Sequence, residues 1–192
     1  MILSNFKHIA YYKDEVESEV IKFKNGDEVS VHHWLNIIKK LSSSTFPKVD
    51  YIIRALGSRE SSCTTITQPL DLVGELIAEK IGATYITTIL SKQKTEQLKF
   101  AGGEFKRQAI LNNTYSCDLA TNNISNESSF LIIDDVSTTG TTFTEIKRAI
   151  LKASKKRAEV HCFSLVKTPW NRHYNHKTQK LNHDFYEKLI SA

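Results

Sequence analysis

The segment that most constrains this chain is Phe130-Leu131-Ile132-Ile133-Asp134-Asp135-Val136-Ser137-Thr138-Thr139-Gly140-Thr141-Thr142. Four apolar residues without a polar break predict a strand buried on both faces of a parallel sheet. Two carboxylates stand at its carboxyl end, and small hydroxyl residues around one glycine follow. Phe143, Ile146, Ala149 and Ile150 then recur at helical spacing, so the turn opens a helix. Backbone N–H groups at a helix start, joined by hydroxyls, favour a phosphate. Two acids beside a phosphate are useful when sugar hydroxyls or a hard cation such as Mg²⁺ lie between them.

Other chains that end a buried strand in Asp-Asp are set aside on residues. A P-loop nucleotidase needs G-x-x-x-x-G-K-[ST], which occurs nowhere in this sequence. A receiver domain lacks Thr-Gly-Thr-Thr directly after its acids. Gly102-Gly103-Glu104-Phe105 mimics part of a diguanylate cyclase motif, but the strands around it do not match.

The segment 130–142 resembles the phosphoribosyl-pyrophosphate (PRPP) signature of type I phosphoribosyltransferases. That signature has four hydrophobics, two acids, a hydrophobic, two variable residues and Thr-Gly-Thr-Thr, and every position fits. The resemblance implies an α/β fold with a central, mostly parallel sheet flanked by helices and a small N-terminal β-hairpin/helix hood. It implies that Asp134 and Asp135 hold the ribose hydroxyls and serve Mg²⁺ directly or indirectly, while Ser137, Thr138, Thr139, Gly140, Thr141 and Thr142 wrap the 5′-phosphate. The expected activity is transfer of ribosyl 5-phosphate from Mg-PRPP to a nucleobase or amine acceptor, with release of pyrophosphate. The alternative is a regulatory protein of the same fold that binds PRPP without chemistry.

The length of 192 residues suits one domain: an extension over 1–48, a core over 49–168 and a tail over 169–192. The net charge of +5 suits a polyanionic small molecule as well as nucleic acid. No nucleic-acid partner is expected, because residues 1–48 look too short and too β-rich for a helix-turn-helix. Apolar runs are far too short for a membrane span, and the first eight residues turn polar at once, unlike a leader. Cys63, Cys117 and Cys162 are odd in number and form no C-x-x-C pair, which reads as reduced thiols in a cytoplasmic protein.

Along the extension, residues 19–31 alternate around Asn25-Gly26 and predict a hairpin. Trp34, Leu35, Ile37, Ile38 and Leu41 predict a helix that stops at Ser42. His32 and His33 at its start read as capping or surface residues. The core begins with a strand over 49–54. Thr67 is expected to cap the next helix, Leu72, Val73, Leu76, Ile77 and Ile81 to form its buried stripe, and Gly82 to end it. Residues 84–90 predict a strand, 112–119 a short one, and 159–166 the last core strand.

The resemblance assigns further sites. Leu56, Gly57, Ser58 and Arg59 stand where the family places its pyrophosphate loop, with Arg59 also expected to act in catalysis alongside Asp134 and Asp135. Residues 91–112, polar and glycine-containing, stand where the family carries a hood loop, with Lys99, Lys106 and Arg107 as its cations. Gln97, Arg107 and Tyr115 are similar to the ComF-like branch, although Ile110 replaces the asparagine that branch carries after its arginine. Trp170 is expected to pack against the acceptor base, and the tail histidines, His173, His176 and His183, match no metal spacing. Thr138 occupies the position where hypoxanthine/guanine enzymes place an aspartate. A 6-oxopurine acceptor is therefore disfavoured, leaving orotate, adenine, uracil and amines open. A homodimer is expected from the fold's habit of pairing.

Overall fold

The computed structural model describes residues 6–11, 15–63, 65–93 and 112–168. Five strands run parallel in the order β1-β7-β6-β2-β3: β1 (Phe6–Tyr11), β2 (Tyr51–Arg54), β3 (Thr84–Tyr85), β6 (Ser129–Ser137) and β7 (Glu159–Lys167). A separate antiparallel pair joins β4 (Leu90–Lys92) to β5 (Tyr115–Cys117). The helices are α1 (Glu15–Lys24), α2 (Glu28–Lys40), α3 (Pro69–Ile81) and α4 (Thr141–Ala153). The architecture is thus a central, mostly parallel sheet flanked by helices.

Strand β6 lies in the middle, and its side chains divide between two cores, as period-2 geometry demands. Leu131 and Ile133 pack into one core with Val20, Phe23, Trp34, Val73 and Ile77 of α1, α2 and α3. Phe130 and Ile132 pack into the other with Phe143, Ile146 and Ile150 of α4 and with Tyr115. Both faces are dry, which is why the sequence shows an unbroken apolar run instead of alternation. The register of β2 on β6 pairs Tyr51 with Phe130 and Arg54 with Ile133. Asp50 fixes its start: Ser129 donates to Asp50 Oδ2 from its backbone N at 2.7 Å and from its hydroxyl at 2.8 Å. Arg54, the last residue of β2, pairs with Ile133, so β6 runs on to Ser137 past the end of β2, and the loop that leaves β2 lies beside that extension.

Four expectations change. The hairpin over 19–31 is instead a helical corner. Val16, Val20 and Phe23 share one buried face of α1, and Phe23 meets Trp34 edge-on with centroids 6.5 Å apart. Gly26 takes φ +77°, ends α1 by donating to Phe23 O, and hands over to Asp27, whose side chain caps α2 at Ser30 N. Asn-Gly serves a helix end as readily as a hairpin, and burial of the α1 stripe decided between them.

The strand expected over 84–90 is split. Only Thr84 and Tyr85 join the main sheet, the chain turns at 88–89, and Leu90 begins the antiparallel pair. The cap of α3 comes from Asp71, whose Oδ2 accepts from Thr67 N and Gln68 N, so Thr67 donates instead of capping. The buried face of α3 is also rotated from the expected stripe: Asp71, Gly74 and Ala78 are inward and Leu72 is 40% exposed. The cause is close approach to β3, since a Cβ on Gly74 would lie 2.3 Å from the Tyr85 ring.

Candidate functional site

A cavity of about 350 Å³ opens at the carboxyl ends of β2 and β6, where ligands of open α/β sheets are held. Leu56, Gly57 and Ser58 of the β2 loop line it on one side. Asp134, Asp135 and the run from Ser137 through Thr142 line it on the other. The sequence had divided these residues between two loops, and the pairing of β2 with β6 brings them into one space.

The hydroxyl/glycine turn leads straight into α4. Gly140 sits at the cap position with φ +76°, a conformation that costs a Cβ-bearing residue about 1–2 kcal/mol. Its carbonyl accepts from Thr144 N at 2.9 Å, the first helical bond. No side chain caps this helix, and its first turn carries no acid. Thr141 N–H reaches Thr139 Oγ1 at 3.4 Å, and the positive end of the helix dipole borders the cavity, which favours an anion there. Thr139 and Thr141 share a hydroxyl–hydroxyl hydrogen bond of 2.6 Å, which draws the turn together.

The two acids differ in surroundings. Burial, and then the charge of Asp135, push the Asp134 carboxyl well above the usual carboxylate range. Asp135 forms an ion pair with Lys24 Nζ at 3.1 Å, so the end of α1 reaches over the cavity. Lys92, at the end of β4, is only 6% exposed and also lines the cavity. Its ammonium donates to two neutral carbonyls, Leu56 O at 3.3 Å and Gly57 O at 3.0 Å, and lies 5.4 Å from the Tyr115 ring centroid. Burial lowers its pKa, against the pull of Asp134 and Glu60. The Tyr115 hydroxyl donates to Leu56 O at 3.0 Å, so the same loop carbonyl is held twice.

Behind the loop lies Arg54, 4% exposed, with every guanidinium N–H engaged. Nε donates to Asp71 Oδ1 at 2.5 Å, Nη1 to Glu60 Oε2 and Nη2 to Glu60 Oε1 at 2.7 Å each. The remaining donors reach Ala55 O and Cys63 Sγ at 3.2 Å. Asp71 is fully buried and also accepts the Tyr85 hydroxyl at 2.6 Å. Burial would raise both carboxyls, but the hydrogen bonds they accept outweigh it and hold them below the usual range.

No family model matches this chain, and no curated protein matches it. Solved structures do. An adenine phosphoribosyltransferase is similar at 14% identity, over 83% of this chain and 78% of that one, with a TM-score of 0.45. A hypoxanthine phosphoribosyltransferase from Staphylococcus aureus is similar at 18% identity, over 74% and 67%, with a TM-score of 0.43. The allosteric regulatory enzyme of purine biosynthesis is similar at 16% identity and a TM-score of 0.40; the match covers 69% of this chain, which spans about 26% of that one.

Of the residues singled out in the sequence, Arg59 is exposed and does not line the cavity. Lys99, Lys106, Arg107 and Trp170 lie outside the described residues. Lys24, Arg54, Glu60 and Lys92 line the cavity and were missed. Arg54 ends a strand whose other residues are apolar, and a charge in that place was the available signal. Lys92 opens the basic stretch after β4, and Lys24 stood in the segment misread as a hairpin.

Proposed function

We propose that this chain is a type I phosphoribosyltransferase that takes PRPP with Mg²⁺, transfers ribosyl 5-phosphate to a nucleobase or amine, and releases pyrophosphate. One observation carries the reading: the uncapped start of α4 and the Asp134–Asp135 pair open into the same cavity. A phosphate on the helix start places the attached ribose hydroxyls at the acids.

In this reading the N–H groups of the first turn of α4, with Ser137 through Thr142, hold the 5′-phosphate. Asp134 and Asp135 accept the 2′- and 3′-hydroxyls. The pyrophosphate lies against Leu56, Gly57 and Ser58, with the buried ammonium of Lys92 behind them. Arg59 meets it from outside the cavity. Transfer forms a bond from acceptor nitrogen to C1′ as the C1′–O bond to pyrophosphate breaks, and the acceptor gives up a proton. Positive charge builds on the sugar beside two acids that repel one another, so the pair is better stabilised at the transition state than before it. Lys99, Lys106, Arg107 and Trp170 complete the proposal as hood-loop and acceptor-side residues.

Among the described residues no cluster of three or more metal-ligating side chains occurs. Two adjacent carboxylates that rely on substrate oxygens for the remaining positions suit Mg²⁺, which is often held by one or two carboxylates with phosphates and water. Asp134 and Asp135 would hold it, and it would supply charge neutralisation to the departing pyrophosphate.

Titration calorimetry with PRPP and Mg²⁺ tests the reading. Saturable binding is expected, weakened at least tenfold by Asp134→Asn with Asp135→Asn. Binding indifferent to that double change refutes it. A pyrophosphate-release screen over nucleobases and amines then identifies the acceptor; silence across the panel with binding intact assigns a regulatory role instead.

A further inference from the structure

Glu60 leaves the β2 loop and folds back onto it. Its Oε2 accepts the Gly57 N–H at 2.6 Å, and the Arg54 fork holds both of its oxygens at 2.7 Å. A planar guanidinium fork plus a converging backbone N–H is a donor set that fits a phosphoryl group as well as a carboxylate. Glu60 and Arg54 both line the cavity, and in sequence they flank the loop assigned to pyrophosphate. A carboxylate of the chain's own occupies donors that an anionic ligand would use.

The two acids on Arg54 are not equivalent. Asp71 is wholly buried and fixed by Thr67 N, Gln68 N and the Tyr85 hydroxyl, so it stays with Nε. The Glu60 side chain is 24% exposed and sits on a loop. Two carboxylates against one guanidinium also leave this cluster with an excess negative charge, which opposes an arriving anion. Release of Glu60 to solvent removes that charge and opens the fork, while Asp71 keeps Arg54 in place.

We propose that Glu60 is an intramolecular competitor for the pyrophosphate subsite: the incoming anion displaces it and takes the Arg54 fork and the Gly57 N–H. Resting on the PRPP reading of the cavity, this makes Arg54 a direct ligand of the pyrophosphate and Glu60 the residue that weakens affinity for it. The sign of a substitution separates it from a scaffold role. A scaffold residue, once removed, loosens the loop and weakens binding; a competitor, once removed, strengthens it.

Calorimetry on the full chain with inorganic pyrophosphate, and separately with Mg-PRPP, makes the comparison among wild type, Glu60→Gln and Glu60→Ala. Each variant is melted alongside to show that it folds. Both variants are expected to bind pyrophosphate at least fivefold more tightly than wild type, and Arg54→Lys added to Glu60→Ala is expected to abolish the gain. Unchanged or weaker pyrophosphate binding in the folded variants overturns the proposal, and so does failure of both variants to fold, which makes Glu60 scaffold. The two readings fail separately. Loss of sensitivity to Asp134→Asn with Asp135→Asn in the PRPP arm removes the proposed function, whereas the pyrophosphate arm judges Glu60 alone.

Discussion

Replacing Gly74 by alanine sets helix propensity against packing, with opposite signs. Gly74 lies within α3, where alanine is favoured over glycine by about 0.8–1 kcal/mol on propensity alone. The added Cβ, however, would stand 2.3, 2.6 and 2.9 Å from Cε2, Cδ2 and Cζ of Tyr85. Ordinary carbon contact is about 3.5–4.0 Å, so the ring must retreat by roughly 1 Å or more. Tyr85 donates its hydroxyl to Asp71 at 2.6 Å, and a retreat of that size breaks the bond.

Overpacking costs about 1–3 kcal/mol, and losing a hydrogen bond to a charged group costs about 1.5–3 kcal/mol. Set against the propensity gain, Gly74→Ala should destabilise by about 3 kcal/mol, lowering Tm by roughly 6–12 °C in a chain of this size. Urea and thermal unfolding of Gly74→Ala, Tyr85→Ala and the double variant measure it. Because truncating Tyr85 removes the ring that the Cβ would strike, the second substitution should make Gly74→Ala neutral or stabilising. An unchanged or raised Tm for Gly74→Ala on its own refutes the packing argument.

Two further expectations follow from buried charges. Lys92→Met should weaken pyrophosphate binding at least tenfold while ribose 5-phosphate binding stays within about twofold, since Lys92 bonds to the β2 loop and not to the α4 turn; equal loss of both ligands in calorimetry counts against this division. Burial, and then the charge of Lys167, lower the His8 pKa from 6.5 to about 4. Between these values the unfolded chain binds a proton that the folded chain refuses, so stability should fall as pH drops from 6.5 to 4. His8→Gln should flatten that slope in urea midpoints taken across the window, and an unchanged slope excludes His8 as its source.

The thirteen residues from Phe130 to Thr142 were legible because their determinants are local. An apolar run, an acid pair and a glycine turn each read out a backbone requirement within a few positions, and β6 and α4 follow them closely. The α1–α2 corner was not legible. Its residues suit a hairpin or a helix end equally in local terms, and what chose was a buried face completed by Trp34. The Arg54 cluster was further still from reach. Its partners lie 6, 14 and 17 positions apart along its links, and Lys92 meets Leu56 across 36. Periodicity reports which side of an element is dry. It carries no information about which charge from one loop will meet which carbonyl of another, because strand register and helix approach set those meetings only after the chain has packed.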